Sequence, residues 1–473
     1  MNNDLVYAVR IAHGINDRFW IDNQLRFKST RKGGKRSMRM RWVVGLILWG
    51  ILSAGTTLAQ ESQGPLTLEE SIRIALDRNL SLQITTAGVV GSEFRQKSAM
   101  TQFFPTWTGQ YGYVRYNNPA TIGSSSGALG GSSITNDTYA FSTTVNQPLF
   151  AGGSISANYR SESLGVDISK TNVETVKRNI VLQVRQGYFN ILAAQKVLEV
   201  AVQAVKQFEA QLDVARAFFD VGIVAKNDVL QAEVRLANAK QGQVNADNAL
   251  ALAKSSFNNL LRRDISAPLN VVDILGYTPS TYTLESSIEE ALRQRPEIKA
   301  ADLTVDQARQ AVTIARSGYF PTISLAGNYG KTADEANLDG RWTERWTVQA
   351  LATLAFSDWW RLGYKVGESK VKVAQAQDAK YQVVDNIILE VKQNYINMVQ
   401  SEKNIDVAKK SIEQAEENQR LNEERYKYQV ATATDVLDAV TLLAQARLNY
   451  YTALTLYNIA KASLERAMGR MYP

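Results

Sequence analysis

Read along one face, the stretch from Val166 to Phe219 runs Val166, Ser169, Val173, Val176, Ile180, Val184, Gly187, Ile191, Ala194, Leu198, Ala201, Val205, Phe208, Leu212, Ala215, Phe219. The steps alternate between three and four residues with little slippage. A hydrophobic period near 3.5, held this long, requires a supercoiled helix lying along a partner. At 1.5 Å per residue that helix is roughly 80 Å long, far beyond an ordinary globular helix. Many of these positions are Ala, Gly or Ser, which predicts neighbouring backbones in close approach.

A second stretch keeps the same rhythm: Ile387, Val391, Asn394, Met398, Ser401, Ile405, Ala408, Ile412, Ala415, Gln419, Asn422, Tyr426. Returning helices are predicted from Val229 to Leu260 and from Val436 to Ala467. The echo is part of an internal repeat. Thr67-Leu-Glu-Glu-Ser-Ile-Arg-Ile-Ala-Leu76 matches Thr283-Leu-Glu-Ser-Ser-Ile-Glu-Glu-Ala-Leu292, and Phe104-Pro105 matches Phe320-Pro321, both 216 residues apart. Further on, Val184-Arg-Gln-Gly-Tyr-Phe-Asn190 matches Val391-Lys-Gln-Asn-Tyr-Ile-Asn397, and Asp228-Val-Leu230 matches Asp435-Val-Leu437, now 207 apart. The spacing shortens by nine between residues 114 and 183, most simply in the loop after residue 116. The sequence is therefore one unit used twice, over residues 60–265 and 266–473.

Each unit reads as helix, two strands, long helix, turn, returning helix. Residues 67–100 are helical, opened by Thr67 with Glu70 three residues on, the pattern of a capping box. Pro105 ends that helix. Trp107, Gly109, Tyr111 and Tyr113 then alternate with mostly polar or small neighbours, the period of a strand. Asn117–Asp137 is Gly/Ser-rich and reads as a loop, and Tyr139, Phe141, Thr143 and Val145 alternate again. The second copy places strands near 321–330 and 346–356. A linker over 266–282, containing Pro268 and Pro279, joins the copies.

Composition narrows the function. The 473 residues include no Cys and a single His, His13. Disulfides, thiolate chemistry, His-ligated metal and Ser-His-Asp catalysis all drop out, so neither an enzyme nor a bound cofactor is expected. The net charge of +7 resides in residues 1–59, which hold ten Lys/Arg and three Asp; the remainder carries 43 of each sign. Nucleic-acid binding therefore has no support. Met38-Arg-Met-Arg41, the apolar Trp42–Leu52 and the small-residue tail Ser53–Ala59 form a cleavable secretory signal, with a cut before Gln60. The competing reading, a single membrane anchor, requires about 20 apolar residues, more than this core supplies. Residues 1–37 read as an upstream extension or a spurious start. With no Cys at the cut, a lipid anchor is not expected. No run of 18 apolar residues follows, so any membrane role falls to strands.

Four strands cannot close a barrel, since roughly eight are the minimum and a membrane barrel leaves no open edge. Two copies would supply eight strands and three would supply twelve. A hollow ring of helices continuous with such a barrel satisfies both the strands and the Ala-rich seams.

Taken together, the repeated Thr-Leu-Glu-x-Ser-Ile-x-x-Ala-Leu opening, the Phe-Pro strand entry and two interhelical turns resemble the TolC-like outer-membrane efflux proteins. Those turns are Phe219-Asp-Val-Gly-Ile-Val-Ala-Lys-Asn-Asp228 and Tyr426-Lys-Tyr-Gln-Val-Ala-Thr-Ala-Thr-Asp435, and the resemblance covers residues 65–470. It implies a mainly α fold in which long antiparallel coiled-coil helices form a trimeric α-barrel, joined to a 12-stranded β-barrel with four strands per chain. It also implies a homotrimer in the outer membrane of a Gram-negative bacterium, in contact with lipid and extending across the periplasm. Its partners would be a periplasmic adaptor and an inner-membrane transporter, with the channel acting as exit duct for efflux or type I secretion.

The resemblance further implies an acidic pore constriction at Asp435 and Asp438. For Asp435 a helix cap is an equal reading. It implies a closed-state latch pairing Asp228 with Tyr426, although Tyr426 also ends a seam and could be core. The family's latch arginine is replaced by Ala431. Adaptor docking falls on Val221, Gly222, Ile223 and Val224 and on Tyr428, Gln429 and Val430; Gly222 also fits a simple helix C-cap. The rival reading is a periplasmic coiled-coil scaffold without a pore. Trp107, Tyr111, Tyr113, Tyr139, Phe141, Trp342 and Trp346 favour a membrane wall over a soluble cap.

Overall fold

Helical periodicity dominates the structure as it does the sequence. The computed structural model describes residues 64–117, 137–333 and 342–471; the leader and most of the Gly/Ser-rich loop lie outside them. Helices α1 (Leu68–Arg78) and α2 (Leu80–Thr101) lead into strands β1 (Thr106–Arg115) and β2 (Asp137–Ala151). Long helix α3 (Ser154–Asp220) and returning helix α4 (Lys226–Leu260) complete the first series. The same order then recurs as α5 (Leu284–Gln294), α6 (Pro296–Ser317), β3 (Thr322–Ala333), β4 (Thr343–Thr353), α7 (Trp359–Lys427) and α8 (Ala433–Ala467). At 67 and 69 residues, α3 and α7 are each about 100 Å long.

The seam reading holds along most of α3. Val166, Ile180, Val184, Ile191, Val205, Phe208, Leu212 and Ala215 are all buried. It fails at the end, where Phe219 is 41% exposed. Phe218 takes over, with its ring centroid 5.4 Å from that of Tyr426. The predicted single helix over 67–100 is two helices. Asn79 ends α1 and caps α2, its side-chain oxygen accepting from the Ser81 and Leu82 amides at 2.8 and 3.3 Å. At the corresponding place in the second series Arg295 is extended ahead of Pro296, which has no amide hydrogen to continue a helix. The capping box expected at Thr67 is half made: its hydroxyl accepts from the Glu70 amide, whereas its counterpart Thr283 also gains the reciprocal bond, with Ser286. The second pair of strands also lies a few residues from the expected bounds.

The four strands form one antiparallel sheet, β1-β2-β3-β4, so that β1 and β4 are open edges. Its register sorts the side chains. Trp107 lies opposite Val145, Tyr111 opposite Phe141, Tyr113 opposite Tyr139, and Tyr329 opposite Trp346. Thr108 lies opposite Thr144, Gln110 opposite Ser142, Thr144 opposite Asn328, and Asn328 opposite Thr347. Because side chains alternate and cross-strand partners share a face, one face is mainly aromatic and apolar, with Lys331 paired to Glu344 towards one end, and the other is mainly Thr, Ser, Asn and Gln, with Val114, Arg345 and Leu351 among them.

The long helices make a layer in the order α4, α3, α8, α7, with α6 against both α3 and α7. Around the linker, Leu66 bridges to Val271, and the Tyr188 hydroxyl donates to the carbonyls of Leu66 and Val272 at 3.0 and 2.8 Å. Tyr457 donates to the Thr278 carbonyl at 2.7 Å. Two buried tyrosines thus pin the two ends of the linker, and burial pushes both phenols up to about 12. Among the described residues no helix is long and apolar enough to cross a membrane.

Candidate functional site

Most of the sequence-predicted site residues gather where α3 turns into α4 and α7 turns into α8. At the first turn Gly222 is left-handed, with φ of 77°. Its amide donates to the Phe219 carbonyl at 2.9 Å and the Ile223 amide to Phe218 at 2.8 Å, the paired bonds that close a helix end. The second turn repeats this without glycine. Gln429 has φ of 60°, donates to Tyr426 at 3.0 Å, and is followed by a Val430 bond to Arg425 at 2.8 Å. The two turns therefore share one backbone shape, and the missing glycine does not set the second apart. Val221, Tyr428 and Val430 are strongly exposed on them, Ile223 less so, and Val224 is half-buried.

The hydrogen bond expected between Asp228 and Tyr426 is not made. Tyr426 is 5% exposed, packed with Ala433, Val436, Val214, Phe218 and Ala431, and its hydroxyl has no hydrogen-bond partner in the structure. Burial, and secondarily the Asp228 charge, hold the phenol above its ordinary value. In this arrangement Tyr426 is a core residue at the end of its helix.

Asp435 is occupied locally. It accepts from the Thr432 amide and from the Thr432 hydroxyl, each at 2.8 Å, while the Thr432 hydroxyl accepts from the Asp435 amide, a complete capping box. Those bonds, the backbone one foremost, hold its carboxyl below the usual carboxylate range. Asp438 is not a bare carboxylate either, since Arg235 of α4 donates to it at 2.8 Å. One turn away, Thr434 donates to Gln231 at 2.8 Å. These two contacts join α4 to α8, neighbours-but-one in the layer, and sequence reading missed them because the partners lie 203 residues apart. The signal available was helical: Asp228 and Arg235 are seven residues apart, on one stripe of α4.

Chemically the site holds packed apolar side chains, fixed charges and two stiff turns. Among the described residues no group of His, Asp or Glu is arranged to hold a metal. The arrangement can clamp helix ends and present a charged rim.

A model of the family described as outer membrane efflux protein matches residues 71–261 and 287–470. The outer membrane protein TolC of Escherichia coli is 25% identical over 331 residues, and the match spans 64% of each chain. The outer membrane efflux protein BepC of Brucella suis is 21% identical over 435 residues, 90% of each chain. The Campylobacter jejuni CmeC outer membrane channel shares the fold, with a TM-score of 0.73 at 17% identity over 85% of both chains.

Proposed function

This chain belongs to the outer membrane efflux protein family, and from that premise we propose that it is the exit duct of a tripartite efflux or type I secretion assembly. The unit is a homotrimer. Three four-stranded sheets join edge to edge into a 12-stranded barrel in the outer membrane, and three helical layers form a tunnel through the periplasm. A periplasmic adaptor docks on the exposed turns around Val221–Val224 and Tyr428–Val430, and an inner-membrane transporter supplies the cargo. A cleaved, non-lipidated leader over residues 1–59 exports the chain, and the two halves, 60–265 and 266–473, descend from one duplicated unit. The chemistry is passage rather than catalysis.

The observation that carries this reading is the two-faced sheet with both edges open. An aromatic face suits lipid and its interfaces, and a face of Thr, Ser, Asn and Gln suits a water-filled bore. A soluble cap would have no use for Trp107 and Trp346 at 78% and 73% exposure. The test is reconstitution of purified protein into planar bilayers together with membrane fractionation. Conductance from outer-membrane material is expected. Mature protein found only in the soluble periplasm would return the case to the pore-less scaffold.

At the tip, Asp435 and Asp438 line the constriction. Replacing both by Ala is expected to weaken preference for cations, read from the reversal potential. The Arg235 partner makes the loss smaller than six free carboxylates would give.

A further inference from the structure

The helical layer has two broad faces of different chemistry, and the linker marks which is which. Tyr277 donates to Glu402 of α7 at 2.5 Å, Lys196 of α3 pairs with Asp273 at 3.1 Å, Asn458 of α8 donates to the Gly276 carbonyl, and Asn258 of α4 to the carbonyls of Ile265 and Ala267. Every long helix therefore turns one face to the segment between the repeats. Two residues along an α-helix is a rotation of about 200°, so residues two positions from these contacts lie on the other face. Two grooves open there. One, between α7 and α8, is lined by Asn397, Gln400, Asn404, Leu456 and Ser463 among others. The other, between α3 and α4, includes Gln186, Asn190, Leu252 and Ser256. Asn397 and Ser463 stand 207 residues after Asn190 and Ser256, so the grooves are counterparts.

Charge follows the same division. On α4 the charged residues Lys226, Glu233, Lys240, Asp247 and Lys254 recur every seven residues, on the linker face. The opposite stripe reads Asp228, Arg235, Gly242, Ala249, Ser256, charged only next to the turn. On α8 the corresponding stripe is Asp435, Leu442, Asn449, Leu456, Ser463. On α7 it carries Asn397, Gln400, Asn404, Gln414 and Asn418, while Glu402, Asp406, Lys409, Glu413 and Glu416 lie round the other side. The interhelical ion pairs agree. Lys240–Glu209, Glu233–Arg216 and Arg447–Glu416 all use the charged side.

The layer also curves. α4 and α8 flank α3 and still meet through Arg235–Asp438 and Gln231–Thr434, which lie on the face away from the linker. Neighbours-but-one can touch only on a concave side. Volume gives the same answer: a ring of twelve helices, each about 10 Å wide, leaves a bore of roughly 28 Å, which three linkers with their α1 and α5 helices would plug.

Resting on the duct reading above, we infer that the tunnel shaft between the linker and the tip is lined by an uncharged wall of amide, hydroxyl and aliphatic side chains, with fixed charge on that part of the wall confined to the tip. Such a surface wets fully, gives passing anions and cations no binding site, and suits a duct that carries cargo of either sign. Below the linker, ion preference then arises within the last turns of the helices.

Because the chain has no cysteine, single-cysteine variants test this directly. Asn404→Cys and Lys409→Cys lie near the same height on opposite faces of α7. In planar bilayers a negatively charged, bulky thiol reagent is expected to lower the conductance of the Asn404→Cys trimer several-fold and shift its reversal potential toward cations. The Lys409→Cys trimer, labelled to the same extent by mass, stays unchanged. Asn404→Asp alone produces the same shift without a blockade. A conducting protein that responds at Lys409→Cys and not at Asn404→Cys, or ignores Asn404→Asp, overturns the inference and leaves the duct standing. A wild-type protein without conductance removes the duct itself.

Discussion

Four residues occupy left-handed or near left-handed helix ends at matched positions, and the two copies solve the problem differently. Gly222 at the first turn answers to Gln429 at the second, and Arg262 after α4 answers to Gly469 after α8. A side chain at positive φ costs about 1 kcal/mol or more. Gln429→Gly is therefore expected to stabilise the protein by about 1 kcal/mol, read as a raised thermal midpoint in detergent by circular dichroism. Gly469→Ala should cost more than Gly222→Ala, since a Cβ on Gly469 would meet the Gln294 backbone at 3.0 Å whereas one on Gly222 meets nothing. Tyr426 offers a sharper contrast. A latch hydroxyl would be missed on removal, but this one is buried without a partner, and burying an unsatisfied polar group costs about 1–3 kcal/mol. Tyr426→Phe is expected to stabilise by about 1 kcal/mol and leave channel closure intact; a leakier variant would restore the latch. These local choices were only partly legible. Gly222 announces its turn, whereas Gln429 does not, because glutamine has no preference for positive φ and only the 207-residue echo points to it.

At the scale of elements, the long periodic helices were readable because one apolar face repeats for many turns and no short-range competitor can imitate it. The breaks were harder. Asn79 sits inside an otherwise helical pattern, and only its side-chain bonds to Ser81 and Leu82 reveal a new start. The start of α8 rests on the Thr432–Asp435 box, whose acidic member has a depressed folded pKa. Its contribution is accordingly present above the unfolded value near 3.9 and is lost as pH falls through the folded one. Asp435→Asn should remove that part of the acid sensitivity, measured as hydrogen exchange at the first turn of α8. Where α8 ends, burial concentrates charge in a way no periodicity foretells. Arg295, with its side chain 5% exposed, pairs with Glu297 at 2.9 Å and Glu390 at 3.0 Å, and Arg466 reaches the same two glutamates. Removing Arg295 leaves Glu297 and Glu390, both partly exposed, to share Arg466 alone, so the loss falls below the roughly 3–5 kcal/mol of a fully buried pair. Arg295→Ala should still loosen the joint of α5, α6, α7 and α8 more than loss of an exposed pair such as Glu417–Arg420, and proteolysis at the α8 end would report it.

For the whole molecule, the decisive feature is what one chain leaves unfinished. The sheet ends on β1 and β4 with unpaired backbone groups, and each unsatisfied group in lipid costs several kcal/mol. Every residue of β4 is exposed in the single chain, and on the duct reading a strand of another copy pairs with its open edge. Sequence alone led as far as too few strands for closure; the structure adds the faces that must align. Gly109 of β1 and Val348 of β4 both lie on the aromatic face, so joining β4 of one copy to β1 of the next keeps that face continuous around the ring. Gly109→Cys combined in turn with Trp346→Cys, Val348→Cys or Ala350→Cys scans the register of this seam. One combination is expected to form disulfides between chains under mild oxidation, giving a ladder on denaturing gels that stops at three chains, while each single variant gives at most a pair. A ladder continuing past three would mean open polymerisation. If every combination stays monomeric while native mass in detergent equals one chain, the sheet edges are met by something other than a copy of this protein.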